Sequence, residues 1–418
     1  MTDRIQQIVA VLPGLGDVRA VWAEADERVA RGDARFAGDL GVALAEAFGP
    51  GARGPGARGP GADGPGADGP GARGTGARGT GADGTRGYGA GGDVWQYRGV
   101  FDHLLRLLAT TPGPGHCAQT VRLVTAAHTG PALERHAASL LAGCQPAAEL
   151  AAVFTADAPE ELRACLLHEL VLRGVAVTAT PGIAEWAAAS PYLDRHPLGR
   201  LPLTLSAVEG RPALPAHGRS GSSRALPYGA LGPGTVVGQA APGAAGRVPA
   251  AEETTTDARA RRIAAAVAGW TEESHARVEA RVFDLAAPAA PRAVPETLLS
   301  LGLDCLREAP AGDPFAAVAC SPAEAWGMLF VAASTGGAYG AGRGGAYGRL
   351  AAWESLAGLA GAAEGADAGE VEACAGACEW YGFVADTGWF ELVAWDLALA
   401  AVGADRRRLA VLAATDTD

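Results

Sequence analysis

Apolar residues near the start of the chain recur at helical spacing. Two stretches, Asp17–Gly32 and Asp33–Phe48, place them three and four residues apart, as at Val18, Val21, Trp22, Ala25 and Val29. This spacing predicts two amphipathic helices, with Asp17 and Asp33 as their N-caps. Two short helices bury too little surface to be stable alone, so we expect residues 1–49 to pack against a later part of the chain.

The same spacing returns at Asp93 and continues to about residue 190, with proline or glycine at nearly every junction. It predicts a run of short helices: Asp93–Ala109, His116–Ala127, Pro131–Ala142, Pro146–Thr155, Pro159–Arg173 and Gly182–Ala189. Short helices joined by short turns pack as antiparallel pairs, and a helical-repeat array is the alternative arrangement. The N-terminal half is therefore predicted to be all-α.

From Asp257 onward, short alternating or continuous apolar runs stand between helical stretches. The predicted strands are Arg277–Leu285, Phe315–Ala319, Glu379–Ala385 and Leu409–Ala414. The predicted helices are Arg262–Trp270, Pro295–Arg307, Pro322–Ala333 (behind a capping box formed by Ser321 and Glu324), Arg349–Ala360 and Trp389–Val402. Strands that alternate with helices predict a mixed α/β or α+β domain over residues 257–418.

Two stretches rich in glycine and proline divide the chain. Gly51–Thr85 is seven pentads of GA(R/D)G(P/T), which excludes the three-residue period of collagen and predicts a disordered linker over residues 50–92. Residues 191–256 read as a long loop or a second linker, with Leu201–Val208 as a candidate strand. The predicted organisation is an α-rich multidomain chain: helices at 1–49, the first linker, a helical domain at 93–190, the second linker and the mixed domain.

Composition excludes several classes of function. All 34 basic residues are Arg, and the chain has neither Lys nor Asn. This excludes a lysine-bearing phosphate loop, a Schiff base to pyridoxal phosphate and a Cys-His-Asn protease triad. The net charge of −12, with ten carboxylates and no Arg or His between Leu350 and Asp405, argues against a nucleic-acid partner.

The opening of the chain lacks the apolar core of a signal peptide, and no uncharged apolar segment reaches the length of a membrane span. The seven cysteines are scattered, which is typical of a reduced protein and not of a disulfide framework. We therefore expect a cytoplasmic protein with no membrane partner.

The stretch from Gly336 to Gly361 contains the pentapeptide GGAYG twice. Backbone N–H groups, cations and aromatic rings here form a candidate ligand or phosphate site of Gly336, Gly337, Tyr339, Arg343, Gly344, Gly345, Tyr347 and Arg349. A continuous helix is disfavoured, since seven of thirteen positions are Gly at about 1 kcal/mol each. A glycine-rich turn between closely packed helices is the interpretation that we favour over the ligand site.

Other polar groups give weaker signals. Asp416 and Asp418 follow the last predicted strand and join the candidate ligand site, as a cation site with Asp386 or Asp396 or, as we favour, as solvated carboxylates. Cys165 and His168 share a helix face, which fits a thiolate–imidazole pair or half of a metal site; we favour a buried thiol and a surface imidazole. Cys374 and Cys378 lack a second pair, and the serines at 220, 222 and 223 lack an identifiable base. We expect no metal and no cofactor.

The C-terminal third resembles an uncharacterised family of large soluble proteins from high-GC actinobacteria. The resemblance rests on GGAYG…GGAYGRLAAWESLAGLAG, on WFELVAWDLALAAVG at Trp389–Gly403, and on RLAVLAATDTD at Arg408–Asp418. It implies a domain of unknown function and identifies no catalytic residue.

No GxSxG, HExxH, DFG or EF-hand pattern is present. The function that we expect is therefore a non-catalytic binding or scaffolding protein that docks a protein partner on its helical half. The alternative is a ligand-binding protein or enzyme that uses the glycine-rich segment 336–349. The sequence gives no prediction of the oligomeric state.

Overall fold

The computed structural model describes residues 2–49, 95–113, 115–227, 236–239, 248–307, 315–340, 342–392 and 395–417. The pentad repeat and all of the predicted first linker lie outside these residues, as does Asp418. The first ten helices are α1 Thr2–Val11, α2 Arg19–Ala30, α3 Ala34–Phe48, α4 Trp95–Thr110, α5 His116–Ala127, α6 Pro131–Cys144, α7 Ala147–Thr155, α8 Glu160–Leu172, α9 Ile183–Ala189 and α10 Pro191–Arg195.

The first five helices share one apolar core. Phe36 and Leu40 of α3 are fully buried there, together with Leu104 of α4 and Leu123 of α5. Asp33 accepts a hydrogen bond from the N–H of Phe36 at 3.1 Å and so caps α3, as predicted. The helices at the start of the chain therefore pack against helices that follow residue 94.

Residues 196–227 contain short turns and one small hairpin. Two strands, β1 Ala216–Gly218 and β2 Gly221–Ser223, pair antiparallel across a two-residue turn. Leu201–Val208 is not a strand, contrary to our prediction: residues 201–206 form no regular element, and a 3₁₀ turn follows at Ala207–Glu209. Ser206 and Glu209 form a capping box at that turn, in which both side chains bond the local backbone. These local hydrogen bonds compete with those of a strand ladder, which explains why the segment is not a strand.

The C-terminal part is built on one sheet. The remaining elements are β3 Val236–Gln239, β4 Ala251–Glu253, α11 Asp257–Ile263, α12 Ala268–Glu273, β5 Arg277–Leu285, α13 Val294–Ser300, β6 Ala316–Cys320, α14 Pro322–Thr335, α15 Gly344–Ala360, α16 Ala368–Ala377, β7 Glu379–Phe383, β8 Asp396–Val402 and β9 Arg408–Thr415. The seven strands stand in the order β3-β6-β7-β8-β9-β5-β4, and every described pairing is antiparallel. The architecture is α-rich, with a mixed region at the C-terminus that is α+β.

Both faces of the central strands are buried. In β8, Leu397 and Leu399 face the core formed with the helices, while Ala398 and Val402 face a second core beneath α13. The predicted helix Trp389–Val402 is therefore wrong over residues 396–402. A continuous apolar run fits a buried helix or a strand buried on both faces equally well, and pairing of β8 with β7 and β9 decides for the strand.

Two further boundaries differ from the prediction. Helix α15 begins at Gly344, five residues before the predicted start at Arg349, so the second GGAYG copy is helical. The predicted helix Pro295–Arg307 ends at Ser300 and is followed by a 3₁₀ turn at Asp304–Leu306. Gly302 between them has φ +68°, a left-handed conformation that ends the helix.

The largest core joins the two halves of the chain. It includes Leu166 of α8, Trp326 of α14, Leu356 of α15 and Leu412 of β9, each fully buried. Helix α15 is central to it, with contacts to α8, α14 and the sheet. None of the described helices is long and apolar enough to cross a membrane.

Candidate functional site

The first GGAYG copy is a turn that closes over a carboxylate of the chain itself. Gly336 has φ +80° and ends α14. The N–H of Ala338 donates to Asp416 Oδ2 at 2.7 Å, and the Ser274 hydroxyl donates to Asp416 Oδ1 at 2.5 Å. A Cβ on Gly337 would overlap Asp416. Glycine is needed here because the backbone approaches the buried carboxylate closely.

The second GGAYG copy meets a different carboxylate. The N–H of Gly345, in the first turn of α15, donates to Glu169 Oε1 at 2.8 Å, and a Cβ on Gly345 would stand 2.5 Å from that oxygen. An anion at a helix N-terminus is favoured by the free N–H groups and the helix dipole. In both copies, the place where a ligand phosphate would bind is taken by an internal carboxylate.

Arg349 uses all five of its N–H donors inside the protein. Nε and Nη2 donate to Glu209 at 2.5 and 2.9 Å, Nη1 donates to His168 Nδ1 at 2.9 Å, and the other N–H groups donate to the carbonyls of Pro202 and Thr204. A guanidinium has five donors, and this side chain is fully buried. Arg349 therefore has no donor left for a ligand.

Two aromatic or imidazole groups complete this Arg349 network. Trp353 Nε1 donates to Glu209 Oε1 at 2.9 Å. His168 is fully buried, so our expectation of a surface imidazole was wrong; burial and then the nearby Arg349 lower its pKa to about 3. A guanidinium only donates, so His168 Nδ1 is the acceptor and the imidazole is neutral.

A second polar cluster, the Glu161 hub, surrounds Glu161 with Arg135, Tyr192, His196 and Tyr347. Tyr347 and Arg135 donate to Oε1 at 2.8 and 3.0 Å, and Tyr192 and His196 Nε2 lie 2.9 and 3.1 Å from Oε2. Burial opposes ionisation of Glu161, but bonds from Arg135, Tyr347 and Tyr192 outweigh it and lower the pKa. Four donors saturate a carboxylate, so Glu161 has no acceptor site left for a ligand. Its partners lie on α6, on or directly after α10, and on α15, and the Glu161 hub therefore joins these helices to α8.

The glycine-rich residues do not form one site with Arg349 and Asp416. Tyr347 belongs to the Glu161 hub, whereas Tyr339 is about half exposed on the first turn. Arg343 lines a cavity of about 40 Å³ with Gly336, Gly342 and Trp270; Gly344 has φ +68° and opens α15. Arg349 and Asp416 lie in separate hydrogen-bond networks, and Asp418 lies outside the described residues.

The remaining sequence candidates are isolated. Burial, followed by Glu161, raises the pKa of the Cys165 thiol, which lies 3.7 Å from Glu161 Oε1 and not against His168. Asp416 follows the end of β9, but ligand sites at the carboxyl ends of strands are a feature of parallel sheets, and every described strand pairing in this sheet is antiparallel. Within the described part of the chain, no group of three His, Cys, Asp or Glu side chains is arranged to hold a metal.

A cluster that the sequence did not reveal lies where the hairpin packs on α4 and α6. We call it the hairpin site: Arg106, Ser139, Arg173, His217 and Ser222. His217 Nδ1 lies 2.7 Å from Ser222 Oγ and its Nε2 lies 3.0 Å from Ser139 Oγ, while Arg106 Nη1 donates to Ser222 Oγ at 3.1 Å. The five residues come from α4, α6, the end of α8 and the two strands of the hairpin. Because these elements are far apart in sequence, no local motif marks the cluster.

The hairpin site is positively charged. Burial, then Arg173 and Arg106, lower the pKa of His217 to about 4. Arg173 Nη1 donates to Glu169 Oε2 at 2.5 Å, but its Nη2 is buried and has no partner among the described residues. A Cβ on Gly143 would stand 3.0 Å from His217 Cδ2 and 3.4 Å from Arg173 Nη2, so both side chains converge over α6 at that glycine.

Comparison with known proteins places the chain in a family. It belongs to a family of unknown function (DUF6183), whose model matches residues 79–418. The resemblance drawn from the sequence is thereby confirmed as membership of an uncharacterised family. No curated protein and no solved structure matched. The matched range includes the Arg349 network, the Glu161 hub and the hairpin site.

Proposed function

We propose that this member of DUF6183 binds a small ligand carrying an oxyanion, such as a phosphate or carboxylate group, at the hairpin site. The glycine-rich segment is a poorer candidate, because internal carboxylates accept from its backbone N–H groups and every donor of Arg349 is used. Ligand binding, the alternative drawn from the sequence, is therefore assigned to the hairpin site, where Arg173 Nη2 has no acceptor among the described residues.

The observation that carries the proposal is the state of Arg173. Its Nη2 is buried beside His217 and lacks an acceptor in the described structure. A buried charged donor without a partner costs more than the ~1–3 kcal/mol of a neutral one. An oxyanion between Arg173 and Arg106 satisfies this donor and forms charge-assisted hydrogen bonds.

The charges around His217 support the same ligand class. Arg106 and Arg173 both disfavour its protonated form. Two carboxylates lie near the arginines. Glu169 accepts from Nη1 of Arg173 and not from Nη2. Asp102 is on the same helix as Arg106 and attracts it, although burial raises the pKa of Asp102. A bound anion adds the negative charge that the hairpin face of the site lacks.

The test is a thermal unfolding titration with inorganic phosphate at constant ionic strength. We expect the Tm of the native chain to rise by about 2 °C when phosphate reaches about ten times its Kd. Arg106→Gln and Arg173→Gln should abolish the rise. Arg219→Gln is the matched control, because Arg219 lies in the same hairpin but pairs with Asp26 at 3.1 Å.

Two results would overturn the proposal. One is a Tm of the native chain that phosphate does not change. The other is a rise that Arg106→Gln leaves intact; Arg106 is only half-buried, so its loss tests the site without removing the Glu169 contact of Arg173.

A protein partner on the helical half is the second candidate. It is supported by Trp95 and Val11, which are each 54% exposed on two helices that share the N-terminal core. Sedimentation velocity tests this surface by comparing the native chain with a Trp95→Ser variant. If the native chain self-associates or binds a partner and the variant does so equally well, the surface around Trp95 is not the docking site.

We also propose a reducing cytoplasmic location without a nucleic-acid partner. This is supported by seven unpaired cysteines and by the net charge.

A further inference from the structure

Ser222 has the surroundings of an activated hydroxyl. It is an exposed residue of β2, the second strand of the hairpin, and stands directly opposite His217 of β1. Its Oγ lies 2.7 Å from His217 Nδ1. The sequence alone left this serine without a base; the two-residue turn supplies one by pairing the strands.

The hydrogen bonds assign the protons. Arg106 Nη1 can only donate, so Ser222 Oγ accepts from it at 3.1 Å and directs its own proton to His217 Nδ1. His217 Nε2 then carries the remaining proton and donates to Ser139 Oγ at 3.0 Å. A hydroxyl, a base within reach and a third group that orients the base form the arrangement of an activated nucleophile.

The orienting group differs from that of a Ser-His-Asp triad. Ser139 is a buried hydroxyl and offers no negative charge to stabilise an imidazolium. The charged groups that face His217 are Arg106 of α4 and Arg173 at the end of α8; on α6, Cys144 donates its S–H to the His217 carbonyl at 3.5 Å. Both cations oppose proton transfer to His217 until an anion binds between them, which makes an anionic substrate a requirement of the chemistry.

We propose that Ser222 is a nucleophile for small carboxylic esters that carry a second, anionic group. This inference rests on the anion site proposed above. Ser222 Oγ forms a bond to the ester carbonyl carbon while its proton passes to His217 Nδ1. The carbon–oxygen bond to the leaving group then breaks, and the leaving alkoxide takes the proton from His217. Arg106 stabilises the oxyanion of the tetrahedral intermediate. Water then attacks the acyl carbon while His217 takes its proton, and the bond to Ser222 Oγ breaks as Oγ receives that proton from His217.

The test is covalent labelling of the full chain with a fluorophosphonate in the presence of inorganic phosphate, which supplies the anion between Arg106 and Arg173; labelling is read by intact mass and by peptide mass spectrometry. Ser222 Oγ displaces fluoride from phosphorus, so we expect one added group on the peptide containing Ser222. Ser222→Ala should abolish labelling, and His217→Gln should slow it by at least about a hundredfold. Ser223→Ala, next to the site, is the matched control and should label at the native rate.

Labelling that persists in Ser222→Ala, or that is equal in heat-denatured and native protein, would overturn the nucleophile. So would the absence of label in a native chain whose Tm still rises with phosphate, and this result would leave the anion site standing. If neither labelling nor the phosphate response occurs, both proposals fail together.

Discussion

Replacing Arg349 by Met tests whether this residue holds the two halves of the protein together. The substitution keeps much of the buried volume but removes five donated hydrogen bonds, two of them to Glu209. Glu209 is then a buried carboxylate that retains the N–H of Ser206 and Trp353 Nε1 as donors. The chain therefore loses one partner of a buried ion pair while the other charge stays in place.

The expected cost is about 4 kcal/mol in the free energy of unfolding, since breaking a buried pair on one side costs ~3–5 kcal/mol. This is a large part of the ~5–15 kcal/mol that stabilises a typical domain. With a dependence of about 3 kcal/mol per molar urea, the midpoint should fall by about 1.3 M. Tryptophan fluorescence is the assay, because Trp353, which donates to Glu209, is one of several buried tryptophans that unfolding exposes to water.

Arg343→Met is the control, since Arg343 lies six residues earlier, is only half-buried, and makes its hydrogen bond to Ala333 through the backbone. It should change the free energy of unfolding by less than ~0.5 kcal/mol. Adding Glu209→Gln to the Arg349→Met variant removes the orphaned charge and should recover part of the loss, giving a coupling energy in a double-mutant cycle. A midpoint for Arg349→Met within error of the native value would refute the reasoning.

Two further predictions concern the groups that pack on α15. His168 has a folded pKa of about 3, below its ordinary value, so the unfolded chain binds the extra proton and stability falls as pH drops below about 6.5; the loss should reach ~1.4 kcal/mol at pH 5.5. His168→Asn, which keeps an acceptor for Arg349, should remove this part of the pH dependence in urea unfolding, and identical pH profiles would contradict it. Gly345→Ala should destabilise by about 1–3 kcal/mol, because its Cβ meets Glu169 Oε1 at 2.5 Å, whereas Gly327→Ala, with open space around it in α14, should stabilise by up to ~1 kcal/mol. Equal Tm shifts for the two glycine variants would rule out the close-approach argument.

The sequence predicted the helices well where local signals were strong. His116–Ala127 was predicted with both boundaries correct, because glycine and proline stand on either side of it in the sequence, at Gly115 and at Gly130 and Pro131. The helix predicted at Pro322–Ala333 from the Ser321–Glu324 capping box is present behind that capping box and runs to Thr335. These signals lie within a few residues of the element, so they can be read without knowing the fold.

Elements that depend on distant partners were missed. Strand β8 has a composition that suits a helix, and only its two neighbouring strands make it extended. Gly344 to Gly348 is a poor helix in isolation, yet the Glu169 carboxylate at its first turn and the close packing of Gly348 on Ser334 favour a helix there. Tertiary contacts outweighed local propensity in both cases.

The polar clusters could not be predicted for the same reason. Glu209 comes from a proline-rich segment that reads as a surface loop, and its burial follows from Arg349, 140 residues later. The hairpin site needs Ser139 and His217, 78 residues apart, on neighbouring surfaces. The glycine-rich segment does use its backbone N–H groups to bind oxyanions, but these belong to Asp416 and Glu169, which only the fold brings there.

A crystal structure grown with phosphate will decide whether the hairpin site binds an oxyanion. We expect a phosphate with one oxygen about 3 Å from Arg173 Nη2 and another within hydrogen-bond reach of Arg106. A structure in which Arg173 Nη2 instead bonds an internal acceptor, with no anion between the two guanidinium groups, would contradict it.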